Sequence, residues 1–178
     1  GAPWLTALLP LRERILRELA DRSRPLAERL ESFLLLAAAA QSLLDEDRAE
    51  ELPALAAGWK KPETAARPGP GLFPYALRVL SGLEVLEGDW RALLREGMDA
   101  PPAAVPEALL ERLGAYFAFR YLLKAVNDGD LLGRAQFCVL MVLTARRLAA
   151  VCGLPEAVRR LCCGLEHSEE NLESLPLA

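Results

Sequence analysis

Cys163 and His167 stand four residues apart in "CCGLEH", a spacing that puts two side chains on one face of a helix, as a pair of metal ligands would need. A structural zinc site wants four donors, and the sequence offers no evident third and fourth beside this pair. Buried cysteine behaves as a small hydrophobe, so no metal site is expected. His167 is the only histidine of the chain. Ser168, Glu169 and Glu170 follow it as a cap with acids in the first turn, so His167 reads as the joint before a short last helix.

Two further groups invite chemistry. In "NDGD", at 127–130, Asp128 and Asp130 bring two carboxylates into one turn. A calcium loop would need acids at alternate positions, a central glycine and a distant glutamate, and this stretch fails that pattern. A turn with Gly129 at positive φ and Asp130 capping the next helix explains the pair. The alternative is a carboxylate site for a cationic substrate. The stretch "AYFAFRYLLK" gathers Tyr116, Phe117, Phe119 and Tyr121. On a helix these point in several directions, some into the core and some toward a partner. A ring beside a carboxylate can also hold an ammonium ion by cation–π attraction. The sequence has no glycine-rich dinucleotide turn, no P-loop and no CxxC. A single histidine leaves little room for a nucleophile-and-base pair.

The elements that must position these residues are helices. "LRERILRELADR" sets Leu11, Ile15, Leu16 and Leu19 on one face, with arginine and glutamate opposite. Ser23 before Pro25 reads as the start of a second helix, which runs to about Asp45 and is apolar almost all round in its middle. "EDRAEELPALAAGW" continues as a short amphipathic helix. The proline-rich stretch "KKPETAARPGPG", 60–71, is the longest loop. Helices resume at "FPYALRVLSGLEVL" and "DWRALLREG". Pro106 then starts "EALLERLGAYFAFRYLLKAV", and Leu131 starts a helix to about Cys152. "GLPEAVRRLCCGL" stops at Gly153, restarts at Pro155 and ends near Leu165. Every periodic stretch is of the 3.6 type. The sequence predicts an all-α, single-domain multi-helix bundle over residues 1–178, with about seven to nine helices.

Composition agrees. Apolar residues make up 52% of the 178, aromatics 6%, and strong helix formers dominate. A net charge of -4 lacks the basic stripe that nucleic-acid binding calls for. Four cysteines, two of them adjacent, read as reduced thiols in a cytoplasmic protein, not as a disulfide framework. The start "GAPWLTALLP" reads as no signal peptide. The apolar runs "FLLLAAAA" and "FCVLMVLTA" fall short of the roughly 20 residues of a membrane span and read as core helices.

Three stretches carry a resemblance. "LRERILRELADRSRPLAERLESFLLLAAAAQSLLDEDRAEELPAL", "RYLLKAVNDGDLLGRAQFCVLMVLTARRLAA" and "LEHSEENLESL" resemble, in order, segments of the flagellin lysine N-methylase family. The resemblance implies the carboxy-terminal helical part of such a protein. In that family, methyl transfer from S-adenosylmethionine to lysine is linked to a cysteine-rich region that binds iron or zinc and precedes these helices. The four cysteines here all lie in the last 41 residues with other spacings, so none of the family's cysteine ligands is carried over. No cofactor is expected in this chain itself.

Two functions follow as expectations. In the first, the chain assists methylation of lysine on a protein substrate such as flagellin, beside a cysteine-rich partner half. Methyl transfer needs a neutral amine, so a site would join carboxylates that attract the cation with a group that takes its proton. Tyr121, Asp128, Asp130, Glu166 and His167 are the candidates for that work. In the second, the chain is a non-catalytic helical protein-interaction or dimerisation module, for which a homodimer is one form.

Overall fold

Leu8, Leu11, Ile15 and Leu19 recur at helical spacing and are almost wholly buried. Together they build the inner face of α1, Ala2–Ala20. The helix begins well before the expected Leu11, and Pro10 lies inside it. A proline there forfeits one backbone hydrogen bond. Ala7 and Leu8 extend the buried stripe past it, and burying a leucine is worth roughly 2 kcal/mol, comparable to that cost. A computed structural model describes residues 2–62 and 89–166 of the chain. Most of the proline-rich loop, the helix expected at "FPYALRVLSGLEVL", His167 and the Ser168-capped helix lie outside the described residues.

Among the described residues the chain is helical without a strand, and seven helices have seven residues or more, the all-α fold expected from periodicity. The chain divides into two compact units, residues 1–66 with 111–139, and residues 67–110 with 140–178.

The first unit holds α1, α2 (Leu26–Asp45) and α3 (Leu52–Gly58), the last preceded by a 3₁₀ turn at Ala49–Glu51. α1 packs chiefly against α3 and α2. From Arg29 to Gln41 no residue of α2 is exposed, as its nearly all-round apolar sequence predicts. The Ser23 cap is not formed. Pro25 occupies the cap position without a side-chain bond, because the Ser23 hydroxyl donates instead to Asp21 Oδ1 at 2.6 Å. α2 ends with Asp47 at φ 57, where Arg48 N–H reaches the Leu43 carbonyl at 2.8 Å and Asp47 N–H reaches Leu44 at 3.1 Å. That is the paired-bond helix end usually built on glycine.

In chain order α4 is Trp90–Asp99, in the second unit, and α5 is Glu107–Tyr121, which from Glu111 onward belongs to the first unit, as does the chain that follows up to Val139. A 3₁₀ turn at Leu122–Lys124 leads into α6, Ala125–Asp128. α7 is Leu131–Cys152 and α8 is Leu154–Glu166. Pro106 starts α5 as expected, its carbonyl accepting the N–H of Leu109 at 3.0 Å. α7 is long and apolar enough by composition to cross a membrane, a length the nine-residue run within it does not suggest. Just over half of that stretch is buried inside the protein, as in a core helix. Within the second unit, Trp90, Leu93 and Leu94 bury one face of α4, and Leu148 of α7 packs directly on Gly97. Arg147 Nη1 donates to the Ala100 carbonyl at 3.0 Å, tying α7 to the end of α4.

Candidate functional site

The two aspartates of the predicted turn lie where α6 hands over to α7. Gly129 takes φ 76, and its N–H donates to the Ala125 carbonyl at 2.8 Å. Asp128 Oδ1 accepts the N–H of Asp130 at 3.0 Å, and Asp128 Oδ2 takes the Arg134 guanidinium through Nε, also at 3.0 Å, and through Nη2. Asp130 Oδ1 accepts the N–H of Gly133 at 2.8 Å, the cap expected for α7. A Cβ on Gly133 would collide with that carboxylate, so glycine lets the cap fold over the helix end. Gln41, from α2, completes the arrangement. Its Oε1 accepts the N–H groups of Leu131 and Leu132 at 2.8 and 3.1 Å, and its Nε2 donates to the Gly129 carbonyl at 3.0 Å. The first three N–H groups of α7 are therefore satisfied by side chains of the protein itself. A cationic substrate would have to displace Arg134 to reach Asp128.

Tyr121 is committed differently. Its side chain is fully buried, edge-on to Phe137 with ring centroids 5.1 Å apart and 6.1 Å from Phe117. Lys124 Nζ lies 5.2 Å from its ring centroid, and the Arg120 guanidinium lies 5.7 Å away. The ring that could have held a substrate ammonium is thus faced by two cations of the same helix and turn. The structure joins Asp128 to Asp130 in one turn and sets Tyr121 in an aromatic cluster. The side chain of Glu166 and all of His167 lie outside what is described. Cys163 is half-buried on α8, and none of the four cysteines is in a disulfide. Burial pushes the Cys138 thiol far above the ordinary range, which keeps it protonated. Among the described residues no group of three or more His, Cys, Asp or Glu is gathered as a metal ion would need.

Sequence reading missed the main polar cluster of the first unit. Arg29, 1% exposed, donates from Nη1 to Glu111 Oε2 at 2.8 Å and to the Leu19 carbonyl. Arg22 grips the same carboxylate with two bonds of 2.9 and 3.0 Å. Glu18 accepts from the Ser32 hydroxyl at 2.7 Å and from Arg24 Nη2 at 2.8 Å, and pairs with Arg14 at 2.8 Å. Trp59 Nε1 donates to Ser32 Oγ at 3.1 Å, while Arg14 donates to the Trp59 carbonyl at 2.7 Å. The Arg22 bond, seconded by Arg29, holds the Glu111 carboxyl below its usual range against the opposing effect of burial. Burial pushes Glu18 up, but Arg24, Ser32 and Arg14 outweigh it and lower its value. Carboxylates so paired are poor proton acceptors near neutrality. One signal was available, since Arg29 lies beside Leu30 on the apolar stripe of α2.

The aromatic stretch of α5 splits between two faces. Phe117 is buried with Tyr121, whereas Tyr116 and Phe119 are 42% and 61% exposed. The Arg12 guanidinium, from α1, covers one side of the Phe119 ring at 4.6 Å. Comparison of the chain with protein-family models, with curated proteins and with solved structures finds no match.

Proposed function

We propose that this chain is a helical protein-interaction domain that does no covalent chemistry of its own. One contrast carries the reading. The described candidates for proton and cation handling are committed to internal partners: Asp128 to Arg134, Asp130 to the start of α7, Tyr121 to an aromatic cluster. Tyr116 and Phe119, on the same helix as Tyr121, present rings to solvent. Exposed aromatics flanked by arginine are the residue types that dominate binding energy at protein interfaces.

A second reading stays within this frame. The longer stretches that carry the resemblance, 11–55 and 120–150, supply most of the helices of the first unit, and that resemblance favours a role beside a lysine N-methylase-like partner. There the chain would present a protein substrate such as flagellin. S-adenosylmethionine and an iron or zinc site would belong to the cysteine-rich half.

The test is methyl incorporation into flagellin from S-adenosylmethionine, with this chain alone and with a cysteine-rich half supplied. The chain alone should stay at background. Turnover only with both halves would favour the second reading, and robust turnover by residues 1–178 alone would overturn the non-catalytic one.

A further inference from the structure

We infer that the outward face of α5, with Arg12 of α1, docks an acidic protein segment that carries apolar side chains between its carboxylates. The inference rests on the interaction-domain reading and names the chemistry of the partner. Arg112, Tyr116 and Phe119 follow one another at i, i+4 and i+7, which lines them along a single helical face. Arg112 is exposed, as are both rings. Arg12 lies across Phe119, and Leu9, one turn earlier on α1, is exposed as well.

Charge decides what fits there. From Arg112 through Lys124 the chain has three cations and no acid, although its net charge is -4. Elsewhere in the first unit six of the other eight arginines meet carboxylates: Arg14 and Arg24 meet Glu18, Arg22 and Arg29 meet Glu111, Arg48 meets Glu51, and Arg134 meets Asp128. Among the described residues Arg12 and Arg112 have no carboxylate partner, and they flank the exposed rings. A guanidinium already stacked on a ring keeps its in-plane N–H donors for a carboxylate, and a leucine or aromatic side chain can lie on the open ring face. An acidic helix with apolar residues one turn apart supplies both groups. A bare anionic polymer would satisfy the cations and leave the rings wet.

The experiment uses the full chain and three fluorescent probes: a short helical peptide with leucines on one face flanked by glutamates, the same peptide with lysines for glutamates, and a single-stranded oligonucleotide. Anisotropy should show binding of the glutamate peptide that weakens with salt. Arg12→Gln with Arg112→Gln should weaken it by about tenfold, the loss of one interface anchor. Phe119→Ala should weaken it comparably, with each variant's circular dichroism and melting curve matched to the parent. No binding of the glutamate peptide, or stronger binding of the oligonucleotide, would overturn the inference. Equal binding of both peptides, abolished by Phe119→Ala, would overturn the charge assignment and leave the interaction face standing.

Discussion

Each unit of this protein has an arginine held by two carboxylate contacts, or a carboxylate held by two arginines, at about the same distances and with very different surroundings. In the first, Glu111 takes Arg29 at 2.8 Å and Arg22 at 2.9 Å, with the Arg29 side chain 1% exposed. In the second, Arg160 takes Asp89 at 2.9 Å and Glu156 at 2.8 Å, with the Asp89 side chain 63% exposed. Water and salt screen the second set, so its net worth is small. Arg29 has no such screening, so its charge depends on Glu111 and the Leu19 carbonyl for compensation. The lesson is that the buried pair fixes which way α2 and α5 meet, while the exposed set decorates a surface.

Removing one buried partner should therefore give the largest effect. Glu111→Ala takes the paired carboxylate from the buried Arg29 guanidinium and should cost about 3–5 kcal/mol in urea denaturation. Asp89→Asn in the second unit should leave the unfolding midpoint unchanged within error. Equal effects at the two positions would erase the distinction between the units.

Acid sharpens the same contrast. Glu18 and Glu111 have folded values lowered from 4.5, so the stability they contribute is fully present above pH 4.5 and is lost as pH falls through the lowered values. Glu156, with its value lowered to about 2 by Arg159 and then Arg160, follows the same sign. Hydrogen exchange below pH 4.5 should thus show α1 and α2 loosening. High salt should abolish the acid sensitivity of α8 and leave that of α1 and α2 largely intact.

Smaller effects test the joint at α7. Gln41→Ala leaves the Leu131 and Leu132 N–H groups without their acceptor and should destabilise by about 1–2 kcal/mol. Asp47→Gly should be the mildest change, raising stability by up to about 1 kcal/mol, because glycine removes the left-handed strain at φ 57. A loss of stability there would mean the Asp47 side chain contributes something its backbone does not reveal.

These positions also mark how far the sequence could be read. Among the described residues periodicity located the helices, and local chemistry located the joints at Pro106, Gly129 and Asp130, since each rests on neighbours within a few residues. Local rules failed where another partner was closer or stronger. Ser23 was expected to cap α2, yet Asp21 claims its hydroxyl. Pro10 was expected to precede α1, yet burial of Ala7 and Leu8 carries the helix through it. The Arg29–Glu111 pair joins residues 82 positions apart, and no local pattern announces it. At the candidate site the aspartate turn was legible as a cap. Which aromatics of α5 face outward was not, because that depends on partners distant in sequence, such as Phe137 packed edge-on against Tyr121.

The most direct test of the interaction-domain account is Phe119→Ala, followed for unfolding and for binding of the glutamate peptide in the same preparation. The exposed ring contributes little to folding, so the account predicts a stability change within about 1 kcal/mol together with binding weakened by about tenfold. A large loss of stability with binding intact would contradict it, and would make Phe119 a residue of the core.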